Sequence, residues 1–407
     1  MSGDAADAGA GPVAFGEVGS FSRPSMPAQR AALSLVGQVR RLFLSDGNDP
    51  PYVSEDRLQS AADKTGEASA PACEPLLDGL HEALEGWLND PSPACSARVV
   101  VTPPCERTGL LEAWARRHDL DVLDPPAAER LLGGEPPPDL TGESVLVVPR
   151  LEDWFLRHRE GLDHVRALLR ALSRLERRCL VGCNSWAWAF LVKAVEADSH
   201  LPRPLTFEPM DGPRLRAWFG EVVDGSGTTF RMADTGEAVF PGGEGDAPRA
   251  FFQRLAAESR GIPWVAWWLW RESLRVRVPD EDEGEEEGDD NGSDDREPGE
   301  EAAVDAAARG KAYAPDEVFV RPPEELTVPD RHAPDELLVL QALLIHDRLT
   351  AAQLYDVVPT MRDTSILAAL LQAGLVERSG DAARCRPAAY PAIRSSLVAA
   401  GFPEDAL

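Results

Sequence analysis

The sequence predicts an α/β fold: a parallel sheet flanked by helices, closed by a helical lid and followed by a C-terminal winged helix. Three observations predict it. Between residues 73 and 278, short apolar runs alternate with stretches of helical periodicity, the pattern of strands buried on both faces and joined by helices. That region ends in GIPWVAWWLWRESLR, a helical stretch carrying Trp264, Trp267, Trp268 and Trp270. Residues 333–407 then read as three helices and two short strands around a Ser-Gly-Asp turn, the make-up of a winged helix-turn-helix.

Taken in order, residues 1–72 are rich in Gly, Ala, Ser, Pro and Asp. They are expected to be largely flexible, because such a composition buries too little apolar surface to offset its ordering entropy. An amphipathic piece, PAQRAALSLVGQVRRLFL, interrupts them. Pro75 to Asn89 sets Leu76, Leu77, Leu80, Leu84, Trp87 and Leu88 on one helical face. Strands are expected at Val99–Val101, Leu120–Leu123, Ser144–Val148, Arg178–Gly182 and Leu205–Phe207. Helices fall between them at about Thr108–Arg117, Leu162–Arg177 and Trp186–Ala197, and Phe251–Val278 is expected to be helical throughout. In the last unit the helices are Pro334–Asp347, Thr350–Val358 with Thr350 as N-cap, and Asp363–Gln372 ended by Gly374.

The net charge of −28 is unevenly spread: Asp280 to Asp305 holds 15 acidic residues against Arg296 alone. Half of the charge therefore sits in one glycine-containing run, and residues 279–332 are expected to form an acidic, disordered linker. No apolar run reaches the roughly 18 residues of a membrane span, and MSGDAADAGAGPVAFG has no basic n-region or apolar h-region; a cytoplasmic protein is expected. Six scattered cysteines show no CxxC pair, and although Cys179 and Cys183 are four apart, they flank an apolar strand with no histidine nearby. Buried thiols are expected there, and no metal or cofactor.

The motif reading turns on VVVTPPCERTGLLEAWA. A strand, a Pro-Pro turn and a helix follow one another as in a phosphate-binding loop, yet Thr102, Cys105 and Arg107 stand where glycines would let backbone N–H groups approach a phosphate. Thr108 stands at the place of the lysine, and Gly109 at that of the Mg²⁺-binding hydroxyl. After the apolar strand SVLVV come Pro149 and Arg150, where a metal site would need carboxylates. Asn184 closes a third apolar strand.

In order and spacing these segments resemble the AAA+ and STAND families of P-loop ATPases over about 180 residues. The resemblance implies Walker A at residues 102–109, Walker B at 149–150, a sensor-like Asn184, a lid in the tryptophan-rich helix and a winged helix behind it. With the Walker residues missing, it implies a catalytically inactive pseudo-ATPase acting as a scaffold or regulatory adaptor for protein partners. An active AAA+ paralogue is among those partners, in an oligomer to which Arg177 or Arg178 could donate a guanidinium.

Two other surfaces enter as interaction candidates. Arg166, Arg170, Arg174 and Arg177 recur at spacings of four, four and three, which aligns them on one helical face; the competing reading is a solvated face opposite Leu168, Leu169, Leu172 and Leu175. The winged helix offers Arg362, Arg378, Arg384 and Arg386 for DNA phosphates, but as a module it is acidic, the opposite of a phosphate-neutralising footprint. DNA binding and an ATPase with a non-standard loop are the alternatives to the adaptor.

Overall fold

A computed structural model describes residues 11–25, 58–60, 70–133, 138–224, 226–240, 245–277, 317–322, 334–405 and 407. Among them the strands are β1 (Phe15–Glu17), β2 (Leu58–Ser60), β3 (Ala97–Thr102), β4 (Asp121–Val122), β5 (Leu146–Val148), β6 (Cys179–Asn184), β7 (Leu205–Phe207), β8 (Thr229–Met232), β9 (Leu274–Arg277), β10 (Glu317–Val320), β11 (Leu349–Thr350), β12 (Val376–Ser379) and β13 (Ala382–Cys385). The main helices are α1 (Glu74–Asn89), α2 (Leu110–Arg117), α3 (Ala128–Leu132), α4 (Gly161–Leu172), α5 (Ser185–Val195), α6 (Ala197–His200), α7 (Gly212–Val223), α8 (Asp246–Glu258), α9 (Pro263–Ser273), α10 (Pro334–His346), α11 (Ala351–Val357), α12 (Ile366–Gln372) and α13 (Tyr390–Ala399).

The largest sheet runs β1-β7-β3-β6-β5-β4, parallel except for β1. Counting parallel strands along the chain, the order is 5-1-4-3-2. The first strand is therefore internal, and connections leave it in both directions across the sheet. This is a P-loop NTPase-like α/β arrangement, as the sequence predicts. β3 and β6 are central because their residues are apolar on both faces: Val99, Val100, Val101, Leu180 and Val181 are all fully buried or nearly so. Gly182 sits in β6 where a Cβ would collide with the Pro149 carbonyl and the Leu111 side chain; its bareness lets the β5 turn and α2 close on the strand.

Several expectations need correction. The N-terminal region is not wholly loose: β1 pairs antiparallel with the edge strand β7, and Val13, fully buried, donates its N–H to Pro75 O at 2.9 Å. An open edge needs cover, and this segment supplies it. β2, also within residues 1–72, pairs with β9. The amphipathic piece at 27–44 and the acidic run at 280–305 lie outside the described residues. Part of the expected linker is structured, since β10 pairs antiparallel with β9 and parallel with β8. Phe251–Val278 is interrupted: α8 ends at Glu258, Arg260 and Gly261 take left-handed backbone (φ 60° and 73°), and Pro263 opens α9 before β9 leaves it. Left-handed termination followed by proline at the first helical position stops one helix and starts another. α4 ends at Leu172, not Arg177, with the Ser173 N–H bonded to Leu169 O.

In the last unit, α10, α11 and α12 pack with the sheet β11-β13-β12, a winged helix. Thr350 is the N-cap expected: its hydroxyl accepts from Gln353 N at 3.3 Å, while Gln353 Oε1 accepts from Thr350 N at 2.8 Å. α12 starts at Ile366 rather than Asp363, because a 3₁₀ turn at Pro359–Met361 and a left-handed Asp363 (φ 64°) precede it. The apolar core runs without a break from the large sheet through α5 into α10.

Candidate functional site at the carboxyl ends of the strands

In parallel α/β sheets, loops after the strands meet at the carboxyl edge, where the connections diverge. Here β3 and β6 end level, with Thr102 paired to Asn184, and β5 ends beside them. Thr102, Cys105, Pro149, Arg150 and Asn184 accordingly border one cavity of about 20 Å³, together with Glu106, Glu112, Glu152 and Asp347. The three segments singled out in the sequence do converge. Of the four carboxylates, Glu106, Glu112 and Asp347 were not singled out.

The loop after β3 is organised around Glu106. Its carboxylate accepts from the backbone N–H of Thr108 (2.6 Å), Gly109 (3.1 Å) and Leu110 (3.3 Å), and from the Thr108 hydroxyl. These N–H groups lie at the start of α2, where the helix dipole favours an anion; a side chain of the loop itself provides it. Cys105 and Gly109 both take φ of 65°, bending the chain so that Glu106 reaches back over the helix start. Burial raises the Cys105 thiol far above its ordinary range, so it is not a thiolate nucleophile.

Arg150 is the positive centre. Its guanidinium lies 2.8 Å from Asp347, 3.4 Å from Glu152 and 3.3 Å from Asp153. Burial works against its charge, but those three carboxylates outweigh burial and hold its pKa well above the usual value. Burial likewise pushes Glu152 up to about 7 against the pull of Arg150, and its Oε2 accepts the Asn184 N–H at 3.1 Å. The guanidinium of Arg150 thus pairs with the acids that surround it.

The winged helix seals this edge. Asn184 Nδ2 donates to Ile345 O at 2.9 Å, while Asn184 Oδ1 accepts from Ala187 N at 2.8 Å and caps α5. Asn184 is therefore both helix cap and interdomain clamp. His346 Nε2 accepts the Arg157 N–H at 3.1 Å, and burial drives its pKa down to about 3, so the ring is neutral. Arg107 reaches Glu377 (2.8 Å) and Cys385 O (3.3 Å) on the wing strands and lies over Trp268, with Arg271 over the same ring. Arg386 pairs with Glu272 at 2.8 Å, and Ser185 with Asp405.

The arginine ridge is not as expected. Arg166 pairs with Asp163 at 2.8 Å, and Arg170 and Arg174 are exposed. Arg177 lies beyond the end of α4 and is spent inward on Asp121 (2.9 Å), Thr141 O (2.8 Å) and Ser144 O (2.8 Å). Arg178 donates to Trp87 O and Asp90 O, so neither guanidinium is held ready for a neighbouring subunit. On the winged helix, Arg384 pairs with Glu377 (2.7 Å), while Arg362, over Tyr355, and Arg378 are exposed.

A nucleoside triphosphate with Mg²⁺ is what the family resemblance implies, and the residues in this arrangement do not fit one. The N–H groups of 108–110 are already donated to Glu106, and the guanidinium of Arg150 lies among the acids a cation would need.

No helix among the described residues is long and apolar enough to cross a membrane. No protein-family model and no curated protein matches the sequence. Among solved structures, the chain is similar to a single-substitution mutant of RuvB from Thermotoga maritima (11% identity, 75% of this chain and 88% of that one, TM-score 0.26). It is also similar to ORC2 from Aeropyrum pernix with ADPNP and ADP (12%, 84% and 99%, 0.31) and to Cdc6p from Pyrobaculum aerophilum (11%, 85% and 100%, 0.30). The expectation that the chain is no enzyme is corrected here. Substituted Walker positions are no demonstration of lost activity. The fold is α/β and P-loop NTPase-like, with a helical lid and a winged helix behind it.

Proposed function

We propose that the chain is a regulatory adaptor or scaffold that binds protein partners in a cytoplasmic complex. One observation carries this reading: the carboxyl edge of the sheet, where small ligands of such folds enter, is covered by the chain's own winged helix through Asn184–Ile345, Arg150–Asp347 and Arg107–Glu377. The helix α12 reads ILAALLQ without a charge, which favours a protein surface over phosphates as its target.

The reading is tested by purifying the tagged chain at native abundance from its host and cross-linking it before mass spectrometry. A stoichiometric partner with cross-links to the core or the winged helix is expected. Recovery of the chain alone, with duplex DNA binding that weakens steeply with salt and is lost in Arg378→Ala, would establish the DNA-binding alternative instead.

A further inference from the structure

A second cavity, of about 130 Å³, opens where the segment after β1, the end of β7, the α8–α9 turn and α13 meet. The rings of Phe21, Phe207 and Tyr390 and of Pro103 wall it, and Arg23 and Arg260 border it. Among the described residues, no hydrogen bond or ion pair engages either guanidinium. The carboxylates of Asp405 and Glu404, whose charges act on Arg23, are held by Arg394. Burial, then Arg394, lowers the pKa of Arg23 against the pull of Asp405 and Glu404.

We propose that this cavity binds a small planar monoanion, a single aromatic or heteroaromatic ring carrying one carboxylate. Size sets the ring count, since an apolar cavity of about 150 Å³ accommodates benzene. Aromatic and proline walls suit the face of a ring. Two arginines with no hydrogen-bond or ion-pair partner among the described residues call for an anion, and a carboxylate accepts from a guanidinium in matched pairs. A polyphosphate is disfavoured by the neighbouring loop: its N–H groups at 108–110 are bonded to Glu106, and the two cavities share Pro103 alone. The site joins the N-terminal segment, the core and α13, so its ligand would tie these three together. The proposal is independent of the adaptor reading.

The test uses the full chain, calorimetric titration and saturation-transfer NMR, with benzoate, phenyl phosphate, benzamide and ATP as probes. Benzoate is expected to bind, more weakly as salt rises, while the neutral benzamide does not. Arg23→Gln and Arg260→Gln are each expected to weaken benzoate by roughly tenfold, the effect of losing one charge-assisted hydrogen bond, with an unchanged melting temperature in the absence of ligand. Arg23→Lys should recover part of the loss. Benzoate binding equally to the wild type and the double Gln variant, or no better than benzamide, overturns the site. Failure of benzoate to bind at low salt does the same. Preference for phenyl phosphate overturns the carboxylate, and displacement of benzoate by ATP overturns the single-ring limit.

Discussion

Arg150 has Asp347 as its nearest carboxylate, 197 positions away in the chain. The sequence marked Arg150 because it stands after an apolar strand where an acid was expected; nothing near it in the chain pointed to Asp347. Glu106 was equally silent, since a glutamate in a polar loop looks like any exposed carboxylate until the bend at Cys105 turns it over α2. Removing Arg150 leaves Glu152, Asp153 and Asp347 facing one another in a buried space. Arg150→Ala is therefore expected to lower stability in urea denaturation by about 3 kcal/mol or more, and Glu106→Ala by about 1 kcal/mol as a lost helix cap. A second expectation concerns pH. Glu152, raised to about 7, binds a proton in the folded state over a range where the unfolded carboxyl does not, so its contribution favours folding as pH falls from about 7 toward the ordinary glutamate range. His346, lowered to about 3, does the reverse, and its neutral burial costs stability as pH falls below the ordinary imidazole range. The two slopes oppose each other between about pH 4.5 and 6.5. His346→Gln, which keeps an acceptor for Arg157, should gain about 2 kcal/mol relative to the wild type between pH 7 and 5. Parallel stability curves for the two proteins would contradict that assignment.

The elements legible in the sequence were those whose pattern needs no partner to be recognised. β3 and β6 are apolar on every side because both faces are covered, and α1 shows its stripe of leucines along one face. β1, β2 and β10 were missed because three or four residues in a polar stretch become strands only when an edge is present to pair with. The same physics explains the broken lid helix, where Gly-Ile-Pro outweighs the apolar run on both sides. Gly79 offers a test of how firmly the N-terminal segment is seated. A Cβ there would collide with the backbone of Val13, so Gly79→Ala should release residues 11–25 from α1 and β7. Hydrogen exchange should rise at Phe15–Glu17 and β7 while β3 and β6 stay protected; unchanged exchange at β1 would mean that the segment is held by other contacts.

At the scale of the molecule, the sequence divided the chain into a core and a separate winged helix, and the spatial relation between them was beyond its reach. The shared apolar core and the clamp at Asn184, Arg150 and Arg107 make them one cooperative body. Calorimetry should show a single transition for the wild type. Asp347→Asn keeps a residue that tolerates the left-handed backbone at that position (φ 61°) while removing its charge, and it should separate a lower-melting winged-helix transition from that of the core. A second inference concerns the acidic segment. β9 ends at Arg277, β10 begins at Glu317, and the two strands pair antiparallel, with Phe319 opposite Arg275 and Val320 opposite Leu274. The two strands that flank residues 278–316 in the chain are thus fastened to each other in the same small sheet. A backbone cut introduced within 278–316 would therefore give two polypeptides on a denaturing gel and one particle on a sizing column.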